Sequence, residues 1–234
     1  MFWRGSNTGG WAYGLEWLGW LRTRAIQLTN PHKSSPSAPI PVLLDKSGAA
    51  PALLDRRALA TSLTNSACTH PDQGDPRSTT AQRTDRSMHF GASVGFHKNY
   101  WSKLVLDLDG TAYSGRYMAL LASRSAVLKA RMFIEVFDEA LIPWFHYVPL
   151  SYRLGELYSI LGYFFGVRGV AGAKEAGVRG AKAHDDELRK VGRQGADWAW
   201  KCARREDAIS YSYLLALEWG RLTSDKRAEM DFAM

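Results

Sequence analysis

The stretch from Trp101 to Ala130, WSKLVLDLDGTAYSGRYMALLASRSAVLKA, limits the fold more than any other part of the chain. Leu104, Val105, Leu106 and Leu108 form a short apolar run suited to a strand covered on both faces. Asp109-Gly110-Thr111 is turn chemistry. From Ser114 the apolar spacing changes to about 3.6, with Tyr117, Leu120 and Leu121 on one side. After Ser125 and Ala126, Val127-Leu128 reads as a second buried strand. The whole is one βαβ unit. Its turn stands at a helix start, where free N–H groups and the helix dipole favour an anion such as a phosphate. Arg116, in the first turn, adds a bidentate donor for that anion.

The flanking sequence extends the same alternation. Phe2-Trp3 reads as a strand entering the Gly-rich loop Arg4–Gly10, although a strand at Met1 has no preceding element to pair with. Trp11 to Leu28 then reads as an amphipathic helix through Leu15, Leu18, Leu21, Ala25 and Leu28. Seven of the nine prolines lie between Pro31 and Pro76, so residues 31–88 are expected to be an irregular Pro/Ser/Thr-rich insertion. Within it, Pro41–Asp45 is a short strand, Ala52–Leu63 a helix and Thr69–Ser87 a polar loop. Further on, the spacing predicts a short helix over Phe133–Leu141, a strand over Trp144–Pro149 and an apolar helix over Leu154–Phe165. Gly166–Ala183, where GVRG occurs twice, is expected to be a loop. Asp185–Cys202 and Glu206–Leu222 are two final helices. Trp198, Trp200 and Trp219 sit at helical spacings and are expected in the core. Strands alternating with helices imply an α/β, doubly wound and largely parallel sheet, with ligands at the carboxyl ends of its strands.

Composition narrows the class. A chain of 234 residues with 46% hydrophobic residues has enough material for one large or two small cores. The net charge of +7 fits a polyanionic partner, a phosphorylated ligand or a plain basic surface. No Lys/Arg block with interleaved aromatics suggests a nucleic-acid partner. Cys68 and Cys202 are too few for a structural zinc site, and leave one disulfide or two thiols open. MFWRGSNTGG does not read as a signal peptide, and the longest apolar stretch, Leu157–Val167, is shorter than the ~20 residues that span a bilayer. A soluble chain without a membrane segment is expected.

Asp107-Leu108-Asp109-Gly110-Thr111 admits several readings. It matches the first motif of haloacid-dehalogenase-type phosphohydrolases. There the first aspartate is a nucleophile, the second an acid/base, and both help hold Mg²⁺. Lys129 would then be the phosphate-binding lysine, but the only later carboxylate pair, Asp185-Asp186, follows no strand. The same residues match a metal–nucleotide Asp-x-Asp motif. The plainest reading is that the two aspartates cap the turn and the following helix.

An ordered series of blocks gives a further resemblance. KLVLDLDGTAYSGRY, LLASRSAVLKA, FDEALIPWFHYVPL, ELYSIL and REDAISYSYLLALEWGRL follow one another between Tyr100 and Ser224. They resemble the capsule-associated and protein O-glucosyltransferase (Rumi-like) proteins of glycosyltransferase family 90, most nearly the fungal branch. FWRGSNTGG resembles the block that opens that family's C-terminal half. The resemblance implies a Rossmann-like sheet over 1–234, corresponding to the C-terminal donor-binding domain of a GT-B enzyme. It implies transfer of a sugar from a uridine diphosphate sugar, of the glucose or xylose class, to a glycan or protein hydroxyl. No metal or other cofactor is expected, and the family implies the lumen of the secretory pathway. The base and much of the acceptor site belong to the family's N-terminal half, so this chain alone is expected to bind donor without transferring sugar.

Carried over residue by residue, the donor site comprises Ser6 and Thr111, Ala112, Tyr113, Ser114, Gly115 and Arg116. Arg4 adjoins it. Where the family has an arginine near the first strand, Ala12 stands here, and Arg22 or Arg24 is the substitute. Lys129 ends a strand on the side of the site and is a further phosphate ligand, and Glu135 an acceptor for ribose hydroxyls. His146, between Phe145 and Tyr147, reads as a packed histidine. No residue is assigned as the catalytic base.

Overall fold

The computed structural model describes residues 1–32, 38–44, 51–71, 74–174, 178 and 182–230. In chain order its elements are β1 (Phe2–Gly5), α1 (Leu21–Thr29), β2 (Pro39–Val42), β3 (Ala52–Asp55), α2 (Arg56–Leu63), β4 (Asn65–Cys68) and α3 (Pro76–Thr84). There follow β5 (Leu104–Leu108), α4 (Tyr117–Leu121), β6 (Ala126–Ala130), β7 (Val148–Leu150), α5 (Leu157–Phe165), α6 (Asp185–Cys202) and α7 (Arg205–Thr223). Five strands form one sheet in the order β4-β1-β5-β6-β7, all parallel, and β2–β3 form a separate antiparallel ribbon. The result is a Rossmann-like α/β domain. The chain runs outward from β1 to β4, then returns to lay β5, β6 and β7 on the other side of β1. That reversal lies between β1 and β5, and a crevice forms there at the carboxyl ends of the strands.

The two faces of the sheet are covered by different helices. Leu104, Leu106, Leu108 and Leu128 pack in one cluster with Ile26 of α1, Leu59 of α2 and Leu161 of α5. Val105 and Val127 pack in a second with Tyr117, Leu120 and Leu121 of α4. Residues of a strand alternate between faces, so Asp107 and Lys129 share the α4 side with Val105 and Val127. They are also partners in register across β5 and β6.

Several expectations change. β1 begins at Phe2 and is nonetheless internal, because its partners β4 and β5 both come later in the chain. The helix expected over Trp11–Leu28 is confined to α1, preceded by a single 3₁₀ turn at Glu16–Gly19. Gly14 is left-handed (φ 65°) and Trp20 is extended (ψ 144°), which breaks the periodic run. The described part of the 31–88 stretch is regular rather than an irregular insertion, and it supplies the edge strand β4. Its polar residues act as caps. The Asp55 carboxylate accepts from Ala58 N (2.8 Å), and Asp75, ahead of Pro76, accepts from Arg77 N (2.8 Å) and Ser78 N (3.1 Å). Thr69–Ser87, expected as loop, therefore contains α3. Phe133–Leu141 forms turns rather than a helix, and only Val148–Leu150 of the WFHYVP region is strand. Trp198 is partly buried, whereas Trp200 (72% exposed) and Trp219 (68%) lie outside the core. Of the second GVRG, only Val178 lies among the described residues.

Candidate functional site

The ends of β1 and β5 are tied together by Arg22, which α1 projects from the side. Its Nη1 donates to Ser6 O (2.9 Å), Nε to Asp109 O (3.1 Å) and Nη2 to Leu108 O (3.2 Å). Of the two arginines considered as substitutes, Arg22 thus reaches the site, as a backbone clamp. Arg24 instead stacks on Tyr152 (4.5 Å to the ring centre) and donates to the Tyr152 carbonyl. The turn after β5 must be tight here. A Cβ on Gly110 would stand 2.6 Å from Thr8 Oγ1 and 3.1 Å from Arg22 Nη2, so a larger residue would have to displace those side chains.

Below this turn lies a charge cluster shut off from water. Lys129 Nζ donates to Asp107 Oδ2 (2.9 Å), Asp109 Oδ1 (3.0 Å) and Glu135 Oε1 (2.8 Å). The Lys129 side chain is 0% exposed, that of Asp107 0% and that of Asp109 1%. The Tyr117 ring closes over the ammonium, 4.6 Å from its centre. Burial alone would push the Lys129 pKa down. The charge of Asp107 and the hydrogen bonds that Lys129 donates to Glu135, Asp107 and Asp109 outweigh it and hold the pKa above the usual lysine value. Burial, with the charges of Tyr147 and Asp107 beside it, pushes the Tyr117 phenol up.

The second oxygen of each aspartate supports the loops around the crevice. Asp109 Oδ2 accepts from Met132 N (2.7 Å) and Phe133 N (3.3 Å), beyond β6. Asp107 Oδ1 accepts from Ser114 Oγ (2.6 Å) and faces Arg116 Nη2 at 3.6 Å. The aspartates therefore brace loops rather than cap α4. This occupancy also weighs against Asp107 as a nucleophile, since a buried carboxylate so held is not free for in-line attack. Asp185, of the Asp185-Asp186 pair, bonds Lys103 beside the amino end of β5, at the opposite edge of the sheet.

A cleft of about 370 Å³ opens beside the cluster, lined by Tyr113, Ser114, Gly115, Met118, Glu135 and Phe137 among others. Ser114 and Glu135 thus join charge cluster to cleft wall. A Cβ on Gly115 would meet only the Tyr113 ring, at 3.9 Å, so the protein leaves that backbone open toward the cleft. Arg116 is partly exposed and folded over the strand ends. Its Nη1 donates to Arg4 O (2.7 Å), and its Nη2 has no hydrogen-bond partner among the described residues. Thr111 and Ala112 are exposed at the outer rim. Ser6 offers its carbonyl to Arg22 and stands across the reversal from Asp109.

Two expectations are corrected. Lys129 is not a phosphate ligand, because all three of its N–H donors are taken by carboxylates. The dipole of a helix contributes little, because α4 has five residues. Anion contact here depends on Arg116 and the open turn. Arg4 turns toward β4, donating to Asn65 O (3.0 Å) and Asn65 Oδ1 (2.7 Å). His146 accepts from Ile142 N (2.9 Å), and burial holds its pKa below the ordinary value, as suits a packed neutral ring. Cys68 and Cys202 are free thiols, and burial raises the Cys68 pKa to about 12. Among the described residues, no group of three or more His, Cys, Asp or Glu stands ready to hold a metal ion. Trp3, which no motif marks as part of the site, is 1% exposed with the Arg22 and Arg116 guanidinium groups each 5.9 Å from its ring centre.

A parallel sheet with a crevice at its strand-order reversal defines the class: a Rossmann-like α/β domain. The model of Glycosyl transferase family 90 matches residues 55–231, about three-quarters of the chain. The chain belongs to that family. It is 30% identical over 115 residues to Protein O-glucosyltransferase 3 of Mus musculus, covering 49% of this chain and 20% of that protein. It is 26% identical over 146 residues to Protein O-glucosyltransferase 3 of Homo sapiens, covering 62% and 25%. It is 29% identical over 125 residues to the O-glucosyltransferase rumi homolog of Aedes aegypti, covering 51% and 26%. The chain spans about a fifth to a quarter of the length of these curated relatives. No helix among the described residues is long and apolar enough to cross a membrane.

Proposed function

We propose that this domain binds the nucleotide-sugar donor of an O-glycosyltransferase. The donor is a uridine diphosphate sugar of the glucose or xylose class, and the acceptor a hydroxyl of a glycan or protein. The observation that carries this reading is the placing of Ser114, Gly115 and Arg116 at the sheet's reversal, beside an open cleft. The names of the relatives point to glucosyl transfer, and the family reading implies the secretory-pathway lumen as compartment.

In this reading the diphosphate lies over the Ser114–Arg116 turn. Arg116 leaves the Arg4 carbonyl and turns its fork to the phosphate oxygens. The diphosphate gains negative charge as it leaves the sugar, so a cation and open backbone N–H groups beside it stabilise the transition state more than the ground state. Glu135, on the cleft wall, is placed to accept a ribose hydroxyl. No metal ion is called for in this account.

Isothermal calorimetry with uridine diphosphate tests it. Binding is expected, and Arg116→Ala is expected to weaken it by on the order of 1.5–3 kcal/mol, the worth of a charged hydrogen bond. Equal affinity in both proteins removes Arg116 from the site, and no binding to either overturns the donor-site reading.

A further inference from the structure

The Asp-x-Asp pattern is chemistry that commonly holds a divalent cation, yet here the space between the carboxylates is filled by a side chain of the same chain. Lys129 Nζ has three N–H donors, and three carboxylates from three segments take them: Asp107 on β5, Asp109 in the turn and Glu135 beyond β6. The Tyr117 ring covers the ammonium from a further side, so the cation is wholly enclosed. Three carboxylates so close cannot all remain ionised away from water without a cation among them. The same carboxylates hold both walls of the crevice. Asp107 holds the Ser114 hydroxyl and faces Arg116, while Asp109 holds the Met132 and Phe133 N–H groups.

We propose that Lys129 is a tethered cation standing where a divalent metal ion would otherwise be needed, a positioning residue that sets Ser114 and Arg116 for the donor diphosphate. This rests on the donor-site reading above, and it adds why that site works without a metal ion. The ammonium neither touches the donor nor leaves its cage. It neutralises the carboxylates in one arrangement, and the arrangement aims the turn. Removing it leaves an acidic cage of three oxygen ligands. The O···N distances of 2.8–3.0 Å suit an ammonium. Calcium, with bonds of roughly 2.3–2.6 Å, requires less contraction of that cage than magnesium at roughly 2.0–2.1 Å.

The experiment compares the wild type with Lys129→Met, which keeps side-chain bulk and removes the charge. Uridine diphosphate affinity and melting temperature are measured for each in EDTA, in magnesium chloride and in calcium chloride. The wild type is expected to show the same affinity and melting temperature in all three. Lys129→Met is expected to lose affinity about tenfold or more in EDTA, a change of about 1.4 kcal/mol. Calcium should restore most of that affinity and raise the variant's melting temperature, magnesium less. A merely structural lysine would give a loss that no cation repairs, and that result overturns the proposal. So does a wild type whose binding fails in EDTA. If neither protein binds the nucleotide, the donor-site reading fails, and the calcium-dependent melting of the variant still decides the tethered cation. Should Lys129→Met not fold in any buffer, Lys129→Gln, which keeps two donors without charge, replaces it in the same measurements.

Discussion

At the scale of single residues, position matters less than what each polar atom is already bonded to. Arg116 has an unmet donor, Nη2, while Lys129, one strand away, has none. That difference separates a cation with a hydrogen bond still to make from one that is fully committed, although both are basic residues at the same edge of the sheet. Asp107 belongs to the second kind. Asp107→Asn keeps the shape of the side chain and removes its charge from the Lys129 pair. Breaking one partner of a buried pair costs on the order of 3–5 kcal/mol, less whatever Asp109 and Glu135 continue to supply. A clear drop in denaturant midpoint is expected, with no turnover of an aryl phosphate in magnesium buffer by either protein. Wild-type phosphatase activity that disappears in the variant would show Asp107 to be a nucleophile.

At the scale of elements, α6 shows how small residues let a helix reach the sheet. It crosses the amino ends of β6 and β7, opposite the candidate site. A Cβ on Gly192 would lie 2.5 Å from Arg124 O, and one on Gly195 2.3 Å from His146 O. Both neighbours are backbone and cannot give way cheaply. An alanine gains roughly 1 kcal/mol in helix propensity over glycine. Overpacking against fixed backbone costs typically about 1–3 kcal/mol and occasionally more. Gly195→Ala is therefore expected to be destabilising on balance, which thermal unfolding checks. A stabilised variant would mean that α6 does not lie so close to the chain before β7. The donor-site residues lie at the far edge of the sheet, so nucleotide affinity in folded Gly195→Ala should be unchanged.

At the scale of the whole molecule, α7 stands apart from the layered body. None of its 19 residues is buried, and Ile209, Tyr213, Leu214, Leu215, Leu217 and Trp219 are each more than half exposed. α6, by contrast, buries Leu188, Val191, Gly192, Gly195, Ala196 and Ala199. Helices in proteins draw most of their stability from packing, and α7 buries none of its residues. Hydrogen exchange at low protein concentration should show α7 amides exchanging orders of magnitude faster than those of α6. Equal protection would mean that another surface covers α7. A protection that grows with protein concentration would identify that surface as a second copy.

Much of this was legible in the residues alone. The apolar run at 104–108, the turn at Asp109-Gly110 and the run at Val127-Leu128 specify β5, the turn and β6 through local chemistry. The bounds of α6 and, within a residue, of α7 follow from spacing, and Arg116 follows directly on the cleft-lining Ser114 and Gly115, with its guanidinium over the strand ends. These features depend on neighbours within a few positions. The regular elements within 31–88 are not legible in the residues because Asp55, Asp75 and Pro76 are equally at home in loops and at helix starts, and only the following hydrogen bonds distinguish the two. The role of Lys129 lay beyond any local pattern. It depends on the register that sets Asp107 beside Lys129, on the alternation that turns both toward α4, and on the return of Glu135 from beyond β6. Likewise Arg22 reaches Leu108 and Asp109 only because β1, first in sequence, lies next to β5 in the sheet. Strand order and register bring together residues that are far apart in the chain, and periodicity along the chain does not encode them. The sequence by itself determined the strand–turn–helix–strand unit that carries Arg116 at the end of its turn. Tertiary structure decided which of the nearby charges hold one another, because register and strand order set them side by side.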